Sequence, residues 1–249
     1  MSVEVAEQAL IQTSIYTNYI SLSGLSEPLL CKNFLEILEL CVKFKTHVRI
    51  TTNADILEDF IDEIDKLINL TEPYEKGNIS NSLYSRAKLQ VNSYDSEKQH
   101  IERIEQWGHF KAIHFVNPID TPMKTFDQHQ KVFGGKGSNR GGALIFTNQK
   151  GIESPCFSLW NKALIDWDGG VDLCSQKWYD RKKFGNIMEK TFQEIWEGEE
   201  INKWRKGLVT FGSRCNFQTC LECDSLINHE DGERLYTDWK NKKVEKVEY

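Results

Sequence analysis

Apolar positions in the first 150 residues alternate between short strand-like runs and longer stretches in which they recur at helical spacing. An amphipathic helix is predicted first, over Val3–Ser14. Strands are then predicted at Tyr19–Gly24, His47–Asn53, AKLQVNSYD, FKAIHFVNP and GALIFTNQ, and helices at Leu29–Lys45, Ile56–Leu70 and KQHIERIEQWG. This alternation predicts parallel β/α units and therefore an α/β fold.

The pattern changes after Pro155. Two short strands, Ala163–Trp167 and Val171–Cys174, flank an Asp-Gly-Gly turn and predict a β-hairpin. Thr191 precedes Glu194 by three residues, which predicts a capping box at the start of a helix that could cover the hairpin. We therefore predict two domains, residues 1–150 and 151–249.

Composition and charge narrow the function classes. The net charge of −6 and the pI near 5.6 supply no basic field, so nucleic acid is a poor candidate partner. Mean hydropathy is −0.52, and no apolar run reaches the roughly 20 residues of a membrane span. The N-terminus lacks the plan of a signal peptide, so a cytoplasmic setting is predicted.

Small polar residues stand where the predicted strands end. In parallel β/α folds, ligands gather at this edge of the sheet. Glu27, between Ser26 and Pro28, could bind a ligand's amino group or could simply start the next helix, where an acid and a proline suit the first turn. The residues alone favour neither interpretation.

The longest irregular stretch is Thr121–Gly142. Its GGKGS does not fit a phosphate-binding loop, because residue 130 is glutamine and Lys136 is followed by glycine. Arg140 could bind a carboxylate or phosphate, or could be a solvated loop arginine.

Seven cysteines, mostly near the C-terminus, indicate metal or redox chemistry in a reducing compartment. Cys31 and Cys41 fall in the predicted Leu29–Lys45 helix and are interpreted as buried core residues. Four others form the candidate metal set, two from the hairpin and two from a CxxC: Cys156, Cys174, Cys220 and Cys223, with Cys215 as an extra thiol or alternative ligand. Four thiolates suit either zinc or a [4Fe–4S] cluster.

Together these motifs resemble radical S-adenosylmethionine (SAM) enzymes with a C-terminal SPASM or Twitch auxiliary-cluster domain. Cys156, Gly169 and Cys174 match the family's C-x9-15-G-x4-C, and the segment closes on Cys220, Cys223 and Asp224. Gly185–Ile187 followed by an Ile-Trp helix is also typical of the family. Since the cysteines suffice for one auxiliary cluster, the domain is similar to the shorter Twitch type.

The resemblance implies a partial (β/α)6 TIM-like barrel missing its first strand, followed by a small α+β domain. It implies an auxiliary [4Fe–4S] cluster and SAM as cofactors, with Arg140 as a substrate or SAM contact. The SAM-binding positions that it implies lie at strand ends: Gly24, Ser26, Glu27, Pro28, Thr52, Asn53, Asn92 and Ser93. Ala54 stands where the family's Thr-Asn-Gly has glycine.

The family's CxxxCxxC triplet, which holds the SAM-cleaving cluster, is not among these residues. A second [4Fe–4S] is therefore expected only with an additional N-terminal segment. We expect that the sequence is an N-terminally truncated copy of an enzyme that carries this segment. The alternatives are that it is half of a split enzyme, or that it is a non-catalytic iron–sulfur or zinc protein. The intact enzyme would abstract hydrogen through a 5′-deoxyadenosyl radical. Its implied partners are a small-molecule or peptide substrate and a reductant such as flavodoxin or ferredoxin.

Overall fold

The chain forms two compact units in the computed structural model, Met1–Lys124 and Thr125–Tyr249. The structure describes residues 1–23, 26–71, 87–92, 97–116, 156, 158–172, 174, 182–209 and 220. The predicted domain boundary at residue 150 lies outside these ranges and stays a prediction. None of the described helices combines the length and the apolar composition that crossing a membrane requires.

A four-stranded parallel sheet is the framework of the first unit, which confirms the α/β prediction. The strands lie side by side in chain order. They are β1 (Tyr19–Leu22), β2 (His47–Thr52), β3 (Ala87–Asn92) and β4 (Ile113–Val116). The helices among the described residues of this unit are α1 (Val3–Thr13), α2 (Phe34–Lys43), α3 (Ile61–Ile68) and α4 (Glu97–Trp107).

The core of this unit lies where the helices cover the sheet. Strands β2 and β3 are flanked on both sides by other strands, and Ile50 and Leu89 are fully buried in them. Leu38 of α2 and Ile64 of α3 are fully buried against the same core. Burial of each such side chain stabilises the folded state by roughly 1.5–3 kcal/mol of transfer free energy. This packing therefore holds the strand ends in fixed positions relative to one another.

The helix predicted from Leu29 begins later than expected. A short 3-10 helix, Pro28–Leu30, comes first, and α2 starts only at Phe34. The predicted helical placement of Cys31 is therefore wrong, and Leu30 is 70% exposed rather than part of an apolar stripe. Cys41 does lie buried in α2, where burial raises the pKa of its thiol to about 11.

The next predicted helix, Ile56–Leu70, is also divided. A 3-10 helix, Leu57–Asp59, precedes α3. Asn69 ends α3 in the left-handed conformation with φ 51°, and the Leu70 N–H donates to Asp65 Oδ1 at 2.6 Å. Asn is among the residues that tolerate this conformation, so the helix ends here although the apolar spacing continues.

The described part of the second unit contains a three-stranded antiparallel sheet. Strands β5 (Leu164–Ile165) and β6 (Gly170–Asp172) form the predicted hairpin, and β7 (Gly185–Asn186) is an additional strand paired with β6. Gly169 has φ 85°, and a Cβ there would lie 2.7 Å from Asn186 Oδ1. The Asp-Gly-Gly turn therefore needs glycine at this position.

Where the structure describes this unit, its helices are α5 (Ser158–Asn161), α6 (Phe192–Trp196) and α7 (Glu199–Val209). The predicted capping box of α6 is confirmed, since the Thr191 hydroxyl accepts from Glu194 N while the Glu194 carboxylate accepts from Thr191 N. A Cβ on Gly185 would lie 2.8 Å from Ile195, so α6 packs closely on β7.

Candidate functional site

Glu27 occupies the point where β1 gives way to the following 3-10 helix. Its Oε1 accepts from Leu29 N at 3.1 Å, as the cap of that 3-10 helix. Its Oε2 accepts from Asn53 N at 2.8 Å, just after β2. The carboxylate thus does start the next helical turn, and it also ties together the C-terminal ends of β1 and β2. Because each carboxylate oxygen has two lone pairs, the Glu27 carboxylate can still accept a hydrogen bond from a ligand's amino group.

A tight turn follows β2. The Thr52 hydroxyl accepts from Ala54 N at 2.9 Å, and Asn53 Oδ1 accepts from Asp55 N at 3.2 Å. Asn53 Nδ2 also donates to Asp55 Oδ2 at 2.7 Å. These bonds hold Asn53 beside Glu27, so the two sequence-predicted motifs at the ends of β1 and β2 come together.

Ala54, 4% exposed, sits in this turn with φ 63°. The left-handed conformation costs a non-glycine residue about 1–2 kcal/mol, so glycine would be favoured at this position.

We expect Ala54→Gly to change stability by less than about 1 kcal/mol, because relief of strain is offset by lost methyl burial and greater unfolded-state freedom. Ala54→Val should destabilise by about 2 kcal/mol or more, since a β-branched side chain fits this conformation poorly. Urea denaturation of both variants tests this, and equal destabilisation would contradict it.

Arg103 of α4 is a site residue that sequence reasoning missed. Its side chain is only 7% exposed, and its Nη2 donates to Asp55 Oδ1 at 3.1 Å. A buried guanidinium requires such a partner, so α4 is joined to the loop that follows β2. The available signal was its spacing, because Arg103 precedes the buried Trp107 by one helical turn and so shares its inward face.

The remaining predicted SAM positions are partly described. Ser26 is exposed beside Glu27, and Pro28 is the first residue of the 3-10 helix. Thr52 pairs with Val91, so the backbone of Asn92 reaches the same sheet edge as Asn53. Gly24, Ser93 and Arg140 lie outside the described residues. Ligand binding by this set therefore stays a prediction.

The second candidate site lies in the other unit, around Cys156 and Cys174. The Cys156 N–H donates to Leu208 O at 2.9 Å, which anchors it to the end of α7. The Cys174 N–H donates at 3.0 Å to Oδ1 of Asp172, a carboxylate that is 2% exposed. Both cysteine backbones are therefore held by specific bonds.

Lys162 lies between these two cysteines in the sequence. Burial lowers the pKa of its ammonium, while negative charge on Cys156 and on Cys174 acts in the opposite direction. The approach of the two thiols to one another stays a prediction.

The donor set suits a soft metal centre. Thiolates hold zinc or iron–sulfur clusters, and Cys156, Cys174 and Cys220 are all half-buried rather than packed in the core. In the ranges that the structure describes, no three His, Cys, Asp or Glu side chains converge as a metal site. Cys215 and Cys223 lie outside those ranges, so the complete ligand set stays a prediction.

Comparisons with known proteins give a family match in the second unit and structural matches over most of the chain. Residues 156–224 match the SPASM family model, an iron–sulfur cluster-binding domain. The crystal structure of BtrN in complex with AdoMet and 2-DOIA is similar, with a TM-score of 0.67 and 21% identity, over 93% of this chain and 84% of that chain. A selenomethionine form of BtrN in an open conformation gives a TM-score of 0.60 and 17% identity, over 94% and 85%. Among curated protein sequences there is no significant match.

The SPASM resemblance predicted from the cysteines is therefore confirmed for residues 156–224. The fold of the chain is similar to that of the BtrN structures.

Proposed function

We propose that the protein is a radical SAM/SPASM-type enzyme that binds SAM at the C-terminal edge of its parallel sheet and one [4Fe–4S] cluster in its second unit. The reaction class is hydrogen-atom abstraction from a small molecule or peptide, leading to oxidation or another modification. The N-terminal unit would be a partial radical SAM barrel and the second a Twitch-type domain. A cytoplasmic setting, with a flavodoxin or ferredoxin as reductant, completes the proposal.

The observation that carries the proposal is the match of residues 156–224 to the SPASM model, a segment in which Cys156 and Cys174 are half-buried and have hydrogen-bonded backbone N–H groups. Cys220 and Cys223 would complete the cluster ligands. The cluster, when bound, supplies electron transfer. The half-buried thiols and their anchored backbones would orient it and limit its contact with water.

Support for the SAM site comes from the Glu27 carboxylate and the turn after β2. Glu27 is held by two backbone N–H groups in a position to accept from an amino group. Asn53 and the backbone of Asn92 reach the same edge, where polar groups suit a ribose and a carboxylate. BtrN, whose structure contains AdoMet, has the same fold, which makes SAM the favoured occupant.

Cleavage of SAM would require an iron with a free coordination position, and therefore the CxxxCxxC triplet that these residues lack. We propose that a segment outside the printed residues, on the same polypeptide or on a partner, supplies it. The non-catalytic alternative keeps the cysteine site alone, as an iron–sulfur or zinc module. Sequencing the DNA upstream of the codon for Met1 and its gene neighbours separates these cases, because only the enzymatic proposal expects the triplet.

Metal analysis tests the cysteine site directly. After anaerobic purification and reconstitution, we expect about four irons and four sulfides per chain and little zinc, since four thiolates bind one [4Fe–4S] cluster. One zinc per chain with no sulfide would instead indicate a structural site and would contradict the proposal.

A further inference from the structure

We propose that Arg49, on the face of the parallel sheet opposite to the helices, binds an oxyanion of the substrate, which is a carboxylate or a phosphate. The observation behind this is a partly buried guanidinium on a central strand that is held by a neutral amide rather than by a carboxylate. The inference rests on the proposed function for the identity of the ligand as substrate. Oxyanion binding itself does not depend on the cluster.

The two faces of the sheet differ in polarity. Ile50 of β2 is fully buried in the core beneath the helices. Successive residues of a strand point to opposite faces, so Arg49 and Thr51 lie on the other face. In the parallel register, Ser21 of β1 pairs with Arg49, and Gln90 of β3 pairs with Thr51. A parallel sheet that is packed on both faces carries apolar residues on both, so this polar face suits a polar ligand.

Arg49 brings to this face a positive charge that has no carboxylate partner among the described residues. Its Nη2 donates to Gln90 Oε1, and its Nε is buried without an acceptor in the described ranges. No ion pair between described residues includes it. Strands β1 to β4 contain no Asp or Glu, although the chain carries a net charge of −6. Because a guanidinium withdrawn from water requires an acceptor of opposite charge, this arrangement indicates an anionic ligand.

The neighbouring positions narrow the class of ligand. Lys88 of β3 pairs with Arg49 in the register, so a second cationic residue stands next to it in the sheet. On the other side, the hydroxyl oxygens of Ser21 and Ser23 lie 2.9 Å apart and are exposed. Hydroxyl groups accept and donate hydrogen bonds. This face therefore suits a small molecule or peptide that carries both an anionic group and polar hydrogen-bonding groups.

The depth of Arg49 in the sheet assigns the oxyanion to the substrate rather than to SAM. The proposed SAM site lies at the strand ends, near Thr52 and Asn53. Arg49 precedes Thr52 by three residues, which places its backbone about 10 Å before the end of β2. SAM binding is therefore measured as a separate part of the test.

The test is a titration of the full chain with potassium phosphate and, separately, with potassium acetate, followed by the NMR signals of the arginine Nε–H groups. Arg49→Lys identifies the Arg49 signal by its absence. At constant ionic strength, this signal should shift saturably with at least one of the two anions and should not shift with chloride. Arg103 is the internal control, because its guanidinium already donates to Asp55 Oδ1 at 3.1 Å, and its signal should stay unchanged.

Saturation by phosphate alone or by acetate alone identifies the group that the substrate carries, and an unchanged Arg49 signal in both titrations overturns the inference. In Arg49→Met, the backbone amide signal of Thr51 should no longer respond to the anion. SAM affinity in this variant should stay within about twofold of wild type, and a loss of about tenfold would assign the oxyanion to SAM instead. Absence of both iron and SAM binding, with the Arg49 response intact, would overturn the proposed function alone.

Discussion

Replacing Cys174 by alanine is expected to reduce bound iron from about four per chain to below about one. Cys174 is the cluster candidate at the end of β6, and its backbone is fixed by the buried Asp172. The three remaining assigned thiolates leave one iron of the cluster without a cysteine ligand, so any assembled cluster should also be lost more rapidly to a chelator. Iron and sulfide analysis after reconstitution, with the visible absorbance of the cluster, measures this effect.

Cys31→Ala is the matched control for this loss. Cys31 is also half-buried, but it lies in the first unit, beside the 3-10 helix. The variant should keep the full iron content. Equal iron loss in the two variants, or full iron in Cys174→Ala, would show that the four assigned cysteines are not the ligands.

The alternation of strands and helices in the first unit could be predicted because the spacing of apolar residues within each segment indicates whether it is a strand or a helix. Strand β2 and helix α4 were found within a few residues of their observed ends. The errors occurred where a single polar contact overrides apolar spacing. At Pro28–Leu30, the Glu27 cap and proline form a separate 3-10 helix, and Leu30 and Cys31 leave the predicted helix.

In the second unit, too, only the elements with a local sequence signal could be predicted. Glycine and aspartate in the turn made the β5–β6 hairpin predictable, and spacing alone revealed the capping box. Strand β7 escaped detection because it is two residues long, and its pairing depends on a partner distant in sequence. Short strands carry too few residues for a periodic pattern.

Candidate site residues could be predicted only where they belong to a recognisable sequence motif. Glu27 and Asn53 were identified separately, but their direct hydrogen bond joins two strand ends and could not be read from either motif. Arg103 belongs to no motif. Its importance arises from a partner brought close by the fold, Asp55.

Glu27→Ala is expected to weaken SAM binding by at least about tenfold, equal to about 1.4 kcal/mol, measured by equilibrium dialysis with labelled SAM. The substitution removes both the proposed amino-group acceptor and the bond that holds Asn53 in place. It should also destabilise the chain by about 1–3 kcal/mol, because two backbone N–H groups lose their acceptor. Glu27→Gln should bind SAM almost as poorly, since both carboxylate oxygens face N–H donors and an amide NH2 cannot accept from either.

Asp65→Ala separates ligand binding from stability. Asp65 also accepts from a backbone N–H, that of Leu70, so its loss imposes a similar kind of destabilisation. It lies near the C-terminal end of α3, which runs back across the sheet and therefore ends at the edge opposite to Glu27. SAM affinity should be unchanged in Asp65→Ala although its denaturation midpoint falls. Undiminished SAM binding by Glu27→Ala, or equal weakening in both variants, would remove Glu27 from the binding site, because the two carboxylates differ in whether they lie at the proposed SAM site, where Glu27 also holds Asn53.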